Sequence, residues 1–264
     1  MLNINYDRLL LGGDVPIKEG VSVHIPKLND LINEEAANFS LFTRIFTTSV
    51  REQFSGIPEK VDEIEEAFPT FWDIAFDDDM NIAIGKDMYG DGIDLLSVIV
   101  GGLSWWTKIP DDEFKPLSNH KIVVESVDWV LDKEGFVEFC QLIQAITLMG
   151  PNEDLIAPKG ISKKPMSARI WKKVYNGRVR NLQKQPGQSL GDKVLLLQAL
   201  SRSYIPFNEI REMTYYQFSN LLKALQGSYQ DERQFGIFVS GNFDTKDMKL
   251  EDLSNVVAMT KLKK

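Results

Sequence analysis

The stretch Thr214-Tyr215-Tyr216-Gln217-Phe218-Ser219-Asn220-Leu221-Leu222-Lys223-Ala224-Leu225 decides the fold class. Thr214 and Gln217 have the T-x-x-Q spacing of a capping box, in which each side chain satisfies a backbone amide at a helix start. Phe218, Leu221, Leu222, Leu225 and Tyr229 then recur on one face at helical spacing. The reading is an amphipathic helix that needs a partner surface to bury its apolar stripe.

Outward from that helix the same period dominates. Asp192 to Ser203 reads as a helix ahead of the breaker Pro206, and a basic helix runs from about Ser167 to Lys184, ended by Pro186 and Gly187. Asp132 is the expected N-cap of a helix whose apolar face is Phe136, Phe139, Cys140, Ile143 and Ile146, with Gly150 and Pro151 as its stop. Asp91 to Trp106 reads as a buried helix whose end the Gly101-Gly102 pair weakens. Pro58 to Phe68 reads as another helix, resuming over Thr70 to Phe76 before an acidic loop. Leu28 to about Phe54 reads as one long amphipathic helix.

Strand signals are few. Val21, Val23 and Ile25 alternate with Ser22 and His24 behind a turn-rich opening, and Lys121 to Val124 with Asp128 to Leu131 reads as a small hairpin. The expected fold is mainly α, with an acidic α+β domain carrying a small hairpin over residues 1–150. A linker follows over 151–164, where Pro151, Pro158 and Pro165 accompany a loss of periodicity. An all-helical domain with a basic first helix covers 165–264.

Charge is segregated along the chain. The 264 residues have a net charge of −8, but residues 1–154 hold 29 Asp and Glu against 11 Lys and Arg, while residues 155–191 hold nine cations and no acid. Those cations are Lys159, Lys163, Lys164, Arg169, Lys172, Lys173, Arg178, Arg180 and Lys184, interleaved with Trp171 and Tyr175. Such a run can neutralise phosphates and stack on bases. It can equally dock on an acidic protein or on this chain's own acidic domain. An acidic protein is repelled from nucleic acid at long range, so protein docking is the favoured reading. Arg169, Trp171, Lys172, Lys173, Arg178 and Arg180 are the candidate contacts, joined by Trp105 and Trp106, which lie beside Pro110 at a helix end.

Enzyme chemistry has little to stand on. Asp77, Asp78, Asp79, Asp87, Asp91 and Asp94 supply oxygen ligands, but with Asp87 as position 1 of a calcium loop, position 3 is Tyr89 and position 12 is Val98. His24 and His120 are far apart, no glycine-rich phosphate loop is present, and Cys140 reads as a core residue. No metal and no cofactor are expected. No apolar run approaches the ~20 residues of a bilayer span, and one cysteine fits a reducing compartment.

The order of these elements resembles the tail assembly chaperones of long-tailed bacteriophages that infect Gram-positive bacteria. His24-Ile25-Pro26-Lys27-Leu28-Asn29-Asp30-Leu31-Ile32 looks like that family's strand-proline-helix opening, and Trp105-Trp106 is followed by a hairpin and a helix. Phe207-Asn208-Glu209-Ile210 and Met213-Thr214-Tyr215-Tyr216-Gln217-Phe218 look like its final capped helix. A small-residue turn at Gly241 and the closing Leu250 to Leu253 follow. The resemblance implies a non-virion protein of the host cytoplasm that binds the tape-measure protein, keeps it soluble and recruits tail-tube subunits onto it. The expected chain is no enzyme, and self-association is a further partner option. The alternative is a nucleic-acid-binding or regulatory module acting through the basic helix, and a metal-dependent enzyme comes last.

Overall fold

The computed structural model of the chain describes residues 4–32, 35–184, 187–240, 250 and 252–262. These residues form 13 α-helices and two small sheets, a mainly α fold. The expected turn at Gly241 and the breaker Pro186 lie outside the described residues.

Helix α1 (Tyr6–Leu11) precedes the hairpin of β1 (Val15–Lys18) and β2 (Val21–Val23), in which Val15 pairs with Val23. The apolar pattern from Leu28 to Phe54 is not one helix. It divides into a 3-10 turn at Leu28–Ile32, α2 (Glu35–Thr47) and α3 (Val50–Phe54), the last capped by Ser49, whose hydroxyl accepts from the Glu52 amide at 3.1 Å. The reason is that its apolar residues serve two cores. Leu28 and Leu31 join a C-terminal cluster, whereas Ile45, Phe46 and Val50 enter the larger core.

Helices α4 (Val61–Ala67), α5 (Phe71–Ala75), α6 (Asp78–Tyr89) and α7 (Leu95–Thr107) follow. The expected acidic loop is the start of α6: Asp77 caps it by accepting from the Met80 amide, and carboxylates suit the positive end of a helix. The glycine pair in α7 strengthens packing instead of weakening the helix. A Cβ on Gly101 would lie 2.8 Å from a Phe42 ring carbon, and one on Gly102 would lie 2.7 Å from Phe46. Only glycine lets α2 lay its rings against α7 there.

The second sheet has three antiparallel strands in the order β3 (Phe114–Leu117), β4 (Lys121–Val124) and β5 (Trp129–Leu131). The first strand is unforeseen, because Pro116 hides it and Lys115 and Leu117 face outward on the sheet's edge. Helix α8 (Lys133–Thr147) starts as expected, with Asp132 accepting from the Gly135 amide at 3.0 Å. It ends three residues early, where Leu148 takes a left-handed conformation at φ 55°. Its face of Phe136, Phe139, Leu142, Ile143 and Ile146 is buried, and Phe136 packs against Phe46 and Trp72.

After α8 come α9 (Pro165–Lys184), α10 (Leu190–Leu200), α11 (Phe207–Glu212), α12 (Tyr215–Phe238) and α13 (Leu253–Val256). The capping box of α12 forms as read: Gln217 N–H donates to Thr214 Oγ1 at 3.2 Å, and Thr214 N–H to Gln217 Oε1 at 2.9 Å. Phe218 and Leu222 from its inner face meet Leu28, Leu31, Leu197 and Ile210 in the smaller core, while Tyr216 enters the larger one. The segments 24–32 and 213–218 therefore touch. Leu28 N–H donates to Met213 O at 2.9 Å, Tyr215 N–H donates to Pro26 O at 2.8 Å, and Lys27 pairs with Glu212.

The stretch 151–164 is not an open tether in the folded chain. Ala157 and Ile161 are buried in the larger core, which also takes in Ala168, so position 150 marks no break in the packing.

Candidate partner-binding site

The segment before α9 is fastened by a buried cation. The Arg51 side chain, only 5% exposed, donates to Ala157 O and Pro158 O, each at 2.6 Å, to Glu65 at 2.5 Å and to Asp62 at 2.8 Å. Asp62 also accepts from the amides of Gly160 and Ser162, at 3.0 and 2.8 Å. Burial by itself would raise the Asp62 carboxyl, but Arg51 and those amides outweigh it and hold it down at about 2. Ser55 completes the clamp by accepting from Ala157 N–H at 2.7 Å. Sequence reading missed this anchor, since a polar clamp leaves no period.

Helix α9 lies on this clamp by one edge. Trp171 donates its indole N–H to Ser55 O at 2.9 Å, and the Tyr175 ring rests on Gly56, where an added Cβ would come within 3.1 Å of it. Beneath Tyr175, burial raises the Glu52 carboxyl, and desolvation raises the Tyr175 phenol. Arg178 turns back to Asp154, donating to its backbone oxygen, and stacks over the Trp171 ring with its guanidinium 5.6 Å from the centroid. Trp171 and Arg178, both candidate contacts, are thus largely engaged within the chain.

The outer face of α9 is unlike the inner one. Met166, Ile170 and Val174 follow each other at four-residue spacing, one stripe of a helix, yet Met166 is 70% and Ile170 56% exposed. Ile170 and Val174, with Pro158, Ile161 and Trp171, border a groove of about 340 Å³ that Lys159 and Lys164 edge. Lys159, Lys163, Lys164, Arg169, Lys172, Lys173, Arg180 and Lys184 are all exposed, and none forms an ion pair with a described residue. Among the described residues, docking of the basic run on the chain's own acidic part is confined to Arg178 and Asp154.

The tryptophan pair sits elsewhere, at the end of α7, where both rings pack against Phe39 of α2. Trp106 is fully buried against Phe39 and Trp105, so it is unavailable to a partner. Trp105 is half-buried, donates to Glu35 at 2.5 Å and carries Lys108 4.9 Å above its ring. No described hydrogen bond, ion pair or ring contact joins this pair to α9.

Apolar side chains also gather toward the end of α12 and at its cap, where Tyr229, Phe235, Ile237, Phe238 and Val239 are exposed. At about 100° per residue these positions point to different sides of the helix, so no single period in the sequence announced them. The acidic residues do not converge: Asp77 and Asp94 cap helices, Asp91 pairs with Lys86, and Asp87 accepts from Gln53. Among the described residues no group of three His, Cys, Asp or Glu side chains is arranged to hold a metal ion. Burial pushes the Cys140 thiol well above its usual range.

Among the described residues no helix is long and apolar enough to cross a membrane. No protein-family model matches the chain, and no curated protein or solved structure matches it.

Proposed function

We propose that this chain is a tail assembly chaperone of a long-tailed bacteriophage. In this reading it is a non-catalytic protein of the host cytoplasm that binds the tape-measure protein and recruits tail-tube subunits to it. The observation that carries the reading is the outer face of α9, an exposed apolar stripe beside cations that no described carboxylate neutralises. Apolar helix faces left open in this way mark docking surfaces, and the clients expected here are long amphipathic helices prone to aggregate alone. The exposed apolar side chains at the end of α12 offer a second contact region, which suits a protein that must hold two clients at once.

The test is co-expression with the tape-measure and tail-tube proteins encoded beside it, followed by affinity capture and a sedimentation assay. Expected are a captured complex and tape-measure protein kept in the supernatant. Absence of any interaction with either protein would end the proposal.

The uncompensated cations also favour a second reading, a nucleic-acid-binding module. The aromatic residues that would stack on bases weigh against it: Trp171 is hydrogen-bonded to Ser55 and Tyr175 lies on Gly56. A mobility-shift assay at about physiological ionic strength separates the two readings.

A further inference from the structure

We infer that the groove between residues 158–161 and the outer face of α9 receives an acidic amphipathic helix of another protein. This rests on the reading of α9 as a partner-binding face and adds the chemistry of what binds. Because α9 is a regular helix, its backbone N–H and C=O groups are engaged along its length. An incoming chain cannot add to it as a strand, and side-chain packing of a helix in a groove is the mode left. From Met166 to Val174 the stripe spans about 12 Å at ~1.5 Å per residue, enough to seat two or three apolar side chains from successive turns of a partner helix. Those side chains enter between Ile161, Ile170 and Val174, and carboxylates on their flanks meet Lys159 and Lys164 at the groove's edge and the exposed Arg169 and Lys173, which helical spacing sets on the far side of the stripe.

Charge fixes the sign of the occupant. Nine cations and no acid fall within residues 155–191, and of the nine only Arg178 is paired among the described residues. The acidic residues of the rest of the chain act weakly beyond the ~10 Å screening length at 0.1 M salt. A nucleic acid fits this face less well, because the middle of it is apolar and a phosphate backbone would leave Ile170 and Val174 uncovered. A second copy of this chain fits less well too. Among its acidic helices α4 turns Val61 and Ile64 into the core, and α6 exposes Ile82 without an apolar neighbour on its face.

The experiment titrates the full chain into a fluorescent synthetic helix of about five turns, ~18 residues, with leucines at four-residue spacing flanked by glutamates. Three further probes are a scrambled peptide of the same composition, the same pattern with lysines for glutamates, and a single-stranded oligonucleotide of equal charge. Binding of the acidic amphipathic peptide at least about tenfold tighter than each control is expected, weakening as salt screens the charge pairs. Ile170→Asp, at an exposed position where folding survives, and the pair Lys164→Glu with Arg169→Glu should each cost at least about tenfold in affinity. Lys121→Glu, at an exposed position on β4 outside the basic run, should leave binding unchanged.

Equal binding of the scrambled peptide, tighter binding of the oligonucleotide, or full affinity in Ile170→Asp would overturn the inference. So would self-association of the chain that Ile170→Asp abolishes, since the occupant would then be a second copy. The two readings fail separately. Peptide binding without any tail-protein complex would sink the phage function and leave the groove standing. A tail-protein complex formed equally by Ile170→Asp, with no peptide bound, would do the reverse.

Discussion

Helices α8 and α9 are both amphipathic and of comparable length, 15 and 20 residues, yet they use their apolar faces in opposite ways. The first turns Phe136, Phe139, Leu142, Ile143 and Ile146 into the core, whereas the second buries Ala168 alone and leaves Met166, Ile170 and Val174 in solvent. Amphipathicity states that a helix has an apolar side; it does not state what fills the space beside it. For α8 the filler is Phe46, Trp72 and the sheet, and for α9 the structure supplies only the clamp under one edge.

The comparison can be broken most directly by truncating one apolar residue from each face. Phe136→Ala should cost about 3 to 5 kcal/mol, since it opens a cavity among close-packed rings. Ile170→Ala, in contrast, should stay within about 0.5 kcal/mol, as surface substitutions do. Denaturant unfolding of both variants checks this, and similar losses would mean that α9 is packed in a way its exposure does not reveal.

The clamp under α9 gives the next effect. Arg51→Met leaves Asp62, Glu65 and two carbonyls without their donor, a loss of about 3 to 5 kcal/mol by the usual cost of breaking a buried pair. Limited proteolysis should then cut within 155–164 faster than in the wild-type chain. Asp62 adds a pH dependence. Its folded carboxyl lies below its unfolded value of 3.8, so its contribution is complete above that pH and is lost as pH falls through about 2. Asp62→Asn should flatten the stability curve in that window, and an unchanged curve would remove Asp62 from the clamp.

Thr214→Ala should cost about 0.5 to 2 kcal/mol through the lost cap of α12, read as a lower melting temperature. The smallest energetic effect is expected of a chemical probe of the two helices. In Ile170→Cys the new thiol should react quickly with a maleimide, while Cys140 on α8, raised by burial, stays slow until the chain unfolds. Equal rates in the native state would erase the distinction between the two faces.

How far these features could be read in advance differs with their range. Asp132 and Thr214 were legible because a cap joins residues three apart. The segregation of cations into 155–191 was legible by counting. The Gly101-Gly102 pair misled, because what it admits are Phe42 and Phe46, some 55 residues earlier. Trp105 and Trp106 look alike in sequence, but adjacent helical positions point about 100° apart, and only one of the two directions is core. The clamp of Arg51, Ser55 and Asp62 on residues 157–162 spans about a hundred positions with no period to betray it.

The sequence by itself determined the mainly helical fold, the capped starts of α8 and α12 and the placing of charge, all of which follow from interactions within a few residues along the chain. Tertiary structure alone decided that 151–164 is held down, that Trp106 is sealed, and that the apolar stripe of α9 faces outward beside unpaired cations. The physical reason is that a helix's pattern fixes the direction of its faces only relative to its own axis. What meets each face depends on side chains that arrive from distant parts of the chain, and for α9 no described residue covers the outer side.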